Sequence, residues 1–206
     1  MSQSLPSGPP RPSRPTRAAA RWDSTHADLL AAAIDLFRRF GAHATSIGDV
    51  VAAANLTKPT LYRHFPSKEA LVIACLREEG RQARLALVEA LEATPSEPRL
   101  RIRAIGGHFA AQFALAPSRG LFALNLAVEY SQPETLVHEA IHAEIERLQD
   151  KFALLIAPER SDGMPIITRR LALAIFGASA ACQALGALAS EYLVESIEDT
   201  IAQFRD

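Results

Sequence analysis

A chain of 206 residues, 49% of them hydrophobic, is long enough for one large domain or for a small module joined to a medium one, and it can bury a core. No stretch is apolar for the roughly eighteen residues a membrane helix needs, and the first residues are rich in Pro, Ser and Arg where an export signal would be apolar, so a cytoplasmic chain with no membrane partner is expected. The net charge of -1 excludes a uniformly basic coat for nucleic acid, yet it conceals a polarity: residues 1–68 carry +5 and the remainder -6, a basic head on an acidic body.

Residues 1–22 contain Arg11, Arg14, Arg17 and Arg21 among Pro and Ser, with no acid before Asp23. Such a segment lacks the apolar surface to offset ordering entropy and reads as a disordered arm, either inert or reaching into a DNA minor groove. From Leu29 onward Ala, Leu, Arg and Glu dominate and β-branched alternation is absent, which predicts an all-α fold.

The first helix is predicted to start near Ser24 or Thr25, with Thr25 and Asp28 at capping-box spacing, and to stop at Gly41. Its apolar stripe is Leu30, Ala33, Ile34, Phe37 and Phe40. A short second helix follows, capped by Ser46 with Asp49 three residues on, and carrying Ile47, Val50, Val51 and Ala54 on one face. Asn55 tolerates a left-handed turn, Thr57 caps a third helix, and Pro59 falls in its first turn, where a missing N–H costs nothing. Ser67 opens a fourth helix running to about Ala93, and the run Thr94-Pro-Ser-Glu-Pro98 breaks it. Further helices are predicted at about 99–115, 119–130, 134–156, 166–189 and 192–204. Cys75 and Cys182 lie far apart in apolar surroundings and read as small core residues.

Two short helices joined by a tight turn after a longer one fit a helix-turn-helix over 46–65, whose second short helix enters the major groove. Leu56, Leu61 and Phe65 have the spacing to pack inward, leaving Lys58, Thr60, Tyr62, Arg63 and His64 to solvent or DNA. These are donors and one aromatic, with no acid. Arg can pair with guanine in bidentate fashion, Thr can touch a thymine methyl, and Tyr and Lys suit phosphate oxygens. Lys68, at the start of the fourth helix, joins its charge to free backbone N–H groups and is a further phosphate candidate.

The stretch 29–71, with Ala33, Leu36 and Phe37, Gly41, Thr45-Ser-Ile47, Asp49, Val50, Ala53, Leu56-Thr-Lys58, Thr60-Leu-Tyr62, Phe65 and Ser67-Lys-Glu-Ala-Leu71, resembles the TetR family of bacterial transcriptional regulators. Asn55 stands where a glycine is common, and Pro59 where a small residue is usual. The resemblance implies an N-terminal three-helix DNA-binding domain over 23–84, joined by a long fourth helix to a helical ligand-sensing and dimerisation domain over 85–206. It implies DNA contacts by Thr45, Ser46, Lys58, Thr60, Tyr62, Arg63, His64 and Lys68. It also implies a homodimer paired through its last two long helices, acting as a repressor released from a palindromic double-stranded operator by a small-molecule effector, with no cofactor and no enzymatic activity. Ala174, Gly177, Ala178 and Ala181 form a small-residue stripe suited to close helix approach. Polar residues on otherwise apolar stretches, His108, Gln112, Asn125, Glu129 and Tyr130, are the candidate effector contacts, while Phe109, Phe113 and Phe122 read as core.

Residues 138–142, His-Glu-Ala-Ile-His, satisfy the H-E-x-x-H spacing that places two imidazoles on one helix face around zinc. The alternative is therefore a zinc-binding helical protein or a metallohydrolase using His138 and His142, with His108 or Glu134 as extra ligands. Against it, no strand is available to align a peptide substrate, and no third ligand stands at a recognisable spacing.

Overall fold

The structure is a computed structural model and describes residues 17–115, 120–157 and 166–202. Among these, nine helices follow one another: α1 (Arg17–Phe40), α2 (Ile47–Ala53), α3 (Lys58–His64), α4 (Lys68–Ala90), α5 (Pro98–Ala114), α6 (Phe122–Glu129), α7 (Leu136–Ile156), α8 (Ile166–Leu185) and α9 (Ala187–Ala202). The all-α expectation holds. No described helix is long and apolar enough to cross a membrane.

Local chemistry explains most boundaries. α1 ends because Gly41 takes φ +88°, while its N–H still reaches the Phe37 carbonyl at 2.9 Å. Ser46 and Asp49 form the reciprocal capping box at the start of α2, Asn55 turns the chain at φ 54°, and the Thr57 and Ser67 hydroxyls accept from the third residues of α3 and α4.

Three expectations need correction. α1 begins at Arg17, so residues 17–22, read as part of a disordered arm, are helical, and Thr25 lies inside the helix instead of at its start; residues 1–16 lie outside the described residues. The apolar stripe of α1 is rotated: Leu29, Ala33 and Phe37 are buried, whereas Phe40 is 56% exposed. The α8 to α9 break falls at Gly186, with φ +57°, several residues before the predicted one, because Ala and Leu on both sides are good helix formers and only the glycine provides a stop.

Two apolar cores hold the chain. One gathers Leu29, Phe37, Val50, Leu61, Phe65, Leu71 and Cys75 from α1–α4, and continues into Phe122 and Leu126 of α6 and Val137 and Ile141 of α7. The other joins Leu87, Ile105, Phe109, Phe113, Phe152, Leu171, Ile175 and Ile197 from α4, α5 and α7–α9. Helix α4 contributes to both and is the strut between the ends of the molecule. Cys75 and Cys182 are both buried and form no disulfide with each other, as expected of core residues, and burial raises the Cys75 thiol far above its ordinary range.

Candidate nucleic-acid interface and the cavity beside it

The exposed face of α3 follows from what its other face must do. Leu61 and Phe65, buried in the N-terminal core, fix the rotation of the helix, which turns Lys58, Tyr62 and Arg63 outward and leaves Thr60 half-buried at the edge. Tyr62 is 48% exposed, a large surface for an aromatic ring and one suited to a phosphate or sugar contact. The Thr60 hydroxyl lies 2.9 Å from that of Thr57, so the cap and the outward threonine share one hydrogen-bonded pair. α3 carries no acid. The nearest capping acid, Asp49, is held by the Ser46 hydroxyl and backbone N–H, which lower its carboxyl below the ordinary value.

The remaining DNA candidates take other positions. Thr45 is 3% exposed and its hydroxyl donates to the Gly41 carbonyl at 2.8 Å, so its side chain braces the loop before α2 and does not face outward as expected. Ser46 is exposed, with its hydroxyl committed to the α2 cap. Lys68 reaches back from α4 and donates through Nζ to the His43 carbonyl at 3.2 Å, tying α4 to the α1–α2 loop while its charge stays uncompensated by that contact.

His64 also departs from expectation. Its ring lies against Trp22 of α1, with centroids 3.7 Å apart, and near His26 at 5.6 Å, and its Nδ1 is sealed from solvent without a partner. Burial, then the nearby His26 and Arg63, lower its pKa, so the neutral ring is favoured. The helical extension of α1 explains this: Trp22 offers an aromatic face only because residues 17–22 continue the helix.

At the junction of the two ends, Glu129, the last residue of α6, accepts the backbone N–H of Ala42 at 3.1 Å and of His43 at 2.6 Å. The carboxylate thus satisfies donors left open after α1, and Tyr130 stacks on His43 with ring centroids 4.5 Å apart. Glu129 and Tyr130, expected to touch an effector, fasten α6 to the DNA-binding end through these contacts. Asn125 accepts from Gln183 of α8 at 2.9 Å, and His108 shares a 2.9 Å hydrogen bond with Gln112. Asn125 and Glu129 line an open groove of about 580 Å³ between the α1–α2 loop, α6 and the end of α8.

Of the five proposed effector contacts, Gln112 lines a small, partly open cavity between α1, α4, α6, α7 and α8. This space, about 80 Å³, is bounded by Arg38 of α1, Glu79 and Arg84 of α4, Phe122 and Leu124 of α6, Glu144 and Leu148 of α7, and Phe176 of α8. Arg38 pairs with Glu79 and places its guanidinium over the Phe122 ring, 5.5 Å from the centroid. Glu144, 4% exposed, is clasped by Arg84 at 2.5 Å and Arg147 at 2.7 Å. Residue spacing does not reveal these charged walls, because the partners lie 41 and 60 residues apart on different helices. Phe109, Phe113 and Phe122 are buried, as predicted for core.

The H-E-x-x-H helix is α7. His138 and His142 do share a face, with ring centroids 4.7 Å apart, and His138 Nδ1 lies 3.1 Å from the Tyr130 carbonyl. Among the described residues no group of three or more His, Cys, Asp or Glu side chains is arranged to hold a metal ion, and His108 is engaged with Gln112.

A capped pair of short helices on a three-helix core, presenting a basic and aromatic face beside a strut helix that leads to a helical body, defines a helix-turn-helix DNA-binding protein. Residues 29–75 match the family described as bacterial regulatory proteins, tetR family. The HTH-type transcriptional regulator RutR of Escherichia coli is 46% identical over 50 residues, which are 24% of this chain and 24% of RutR. EthR of Mycolicibacterium smegmatis is 31% identical over 94 residues, 46% of this chain and 42% of its own. The stretch matched thus spans about a quarter of RutR and under half of EthR. Among solved structures, SCO4454, a TetR-family transcriptional regulator from Streptomyces coelicolor, superposes with a TM-score of 0.78 at 29% identity over 87% of this chain and 95% of that one. A TetR transcriptional regulator from Chloroflexus aurantiacus shares the fold, with a TM-score of 0.76 at 23% identity over 89% and 97% of the two chains. The N-terminal part of this chain, residues 29–75, thus matches the tetR family, and the whole described chain has the fold of the TetR-family regulator SCO4454.

Proposed function

We propose that the protein is a ligand-responsive transcriptional repressor that binds a palindromic operator as a homodimer and leaves it when a small molecule enters the body. The observation that carries this reading is the α3 face: Lys58, Tyr62 and Arg63 stand outward, with half-buried Thr60 at their edge and no acid among them, on a helix held in place by Leu61 and Phe65. Thr60 and Arg63 discriminate bases, and Tyr62 and Lys68 hold phosphates.

Dimerisation is supported by the α8–α9 surface. Ala178 is buried, while Gly177 is exposed and Leu173, Leu188 and Tyr192 stand 73%, 46% and 55% exposed, so α8 and α9 present apolar side chains that a second copy would cover. A twofold pairing there sets two α3 helices at a fixed spacing, and effector binding favours a conformation in which that spacing no longer fits the operator. The test is a gel shift with DNA flanking the protein's own gene. A shift of two chains per duplex, weakened by Arg63→Ala, is expected; binding no tighter than to unrelated DNA overturns the reading.

A further inference from the structure

We propose that Trp22 is a positioning residue for DNA recognition: together with His26, one turn further along α1, it clasps the end of α3 and fixes the placement of Arg63. The inference rests on the reading of α3 as the helix that enters DNA, and it names what holds the last turn of that helix. Trp22 and His26 are four residues apart and so share one face of α1. The Trp22 ring lies on His64 with centroids 3.7 Å apart, and the His26 ring lies 4.7 Å from that of Phe65 and 5.6 Å from that of His64. Side chains from two successive turns of α1 thus engage the last residue of α3 and its C-cap.

α3 has reason to need this support. It is seven residues long, and a helix of two turns does not hold its shape in water by itself. Leu61 and Phe65 bury its inner face, and the Phe65 N–H closes the last turn on the Leu61 carbonyl at 2.8 Å. Arg63 is exposed and belongs to that turn, where helices fray most readily. A base-reading side chain is only as well placed as the backbone that carries it, and a looseness of about 1 Å is enough to lose a specific contact.

His64 has the chemistry of a support. Its Nδ1 is sealed from solvent with no hydrogen-bond partner, so aromatic packing is what holds the ring, and a ring of similar shape without the nitrogen is expected to hold equally well. Trp22 keeps 46% of its surface exposed, so its contact with His64 is made at the edge of the domain. That contact exists only because α1 begins at Arg17; a helix starting at Ser24 or Thr25 would leave His64 without it.

Two readouts test the clasp. In the free protein, amide hydrogen exchange at Leu61 and Phe65, whose N–H groups bond within α3, is expected to quicken about ten-fold in Trp22→Ala, the upper end of what an aromatic pair contributes. Exchange at Val72 to Leu76 of α4 is expected to stay unchanged, and Trp22→Phe to restore most of the protection. On DNA, with an operator recovered by selection from a randomised pool, Trp22→Ala is expected to lower the ratio of operator to random-sequence affinity by about the same factor at an unchanged salt slope. His64→Phe keeps both the protection and the ratio.

Unaltered exchange at Leu61 and Phe65 in Trp22→Ala overturns the proposal, as does an equal rise in α4, which is general destabilisation. A Trp22→Ala loss of the same size on operator and random DNA also overturns it, being the mark of a direct backbone contact by the indole. A His64→Phe loss of ratio as large as that of Trp22→Ala assigns His64 to a polar DNA contact and refutes the clasp. If the wild-type chain itself prefers no sequence, the reading of α3 is what fails, and the exchange rates still decide whether Trp22 holds the helix.

Discussion

Replacing Glu129 tests whether the last residue of α6 fastens the body to the DNA-binding end. Its carboxylate accepts from Ala42 N–H at 3.1 Å and His43 N–H at 2.6 Å, and Ala42 is fully buried. Hydrogen bonds to a charged group contribute about 1.5–3 kcal/mol where water is excluded, and a buried N–H left without an acceptor costs about 1–3 kcal/mol. The His43 side of the pair is exposed and lies at the low end, so Glu129→Ala is expected to cost about 2–3 kcal/mol in all. Glu129→Gln keeps one acceptor oxygen and turns an amide NH₂ toward the second donor, for a loss of about 1–2 kcal/mol.

Trp22 is the sole tryptophan and stacks on His64 inside the DNA-binding end, so urea unfolding followed by its fluorescence reads the relevant region directly. Glu146→Ala on the exposed face of α7 is the control, with a change within about 0.5 kcal/mol. Ala and Gln variants that both unfold at the wild-type midpoint would refute the fastening role. The order wild type, Gln, Ala is the expected signature.

Three further outcomes follow from the same geometry. Lys68→Ala is expected to lower the salt slope of operator binding by about 1, and an unchanged slope refutes a phosphate contact. His64 has its pKa lowered by burial and by the charges of His26 and Arg63, so the unfolded chain takes up a proton more readily. Stability is therefore expected to fall as pH drops below about 6.5, the unfolded value, until the folded pKa is passed; His64→Gln flattens this slope in Trp22-monitored unfolding, and an unaltered slope contradicts it. A Cβ at Gly177 meets nothing within 4 Å in its own chain, so Gly177→Arg leaves the fold intact while sedimentation shows monomer; a persistent dimer places the interface elsewhere.

What the sequence made legible was local. The Ser46–Asp49 box, the left-handed Asn55, the Thr57 cap and Pro59 are encoded within a few residues of one another, and each appears where spacing predicts. The extension of α1 was hidden because the sequence before Asp23 carries no apolar periodicity, and the docking of Trp22 on His64 gives it a tertiary partner. Thr45 and His64 have polar side chains at positions that look outward in a one-dimensional reading, yet the first serves a loop carbonyl and the second an aromatic stack. The cavity was least legible. Polar residues within apolar stretches marked Glu129 and Asn125, whose hydrogen bonds go to the α1–α2 loop and α8, whereas nothing in the local sequence marks Arg38, Glu79, Arg84 and Glu144. Their meaning arises from pairing across helices, which no local pattern records.

Whether two copies of α3 read an operator is decided by selecting duplexes from a randomised pool with the 206-residue chain. Enrichment of an inverted repeat with half-sites about one helical turn, or a multiple, apart is expected, with loss of preference at particular base pairs in Arg63→Ala. Recovery of no repeated motif, or of one whose base preferences survive both Arg63→Ala and Thr60→Ala, would contradict it.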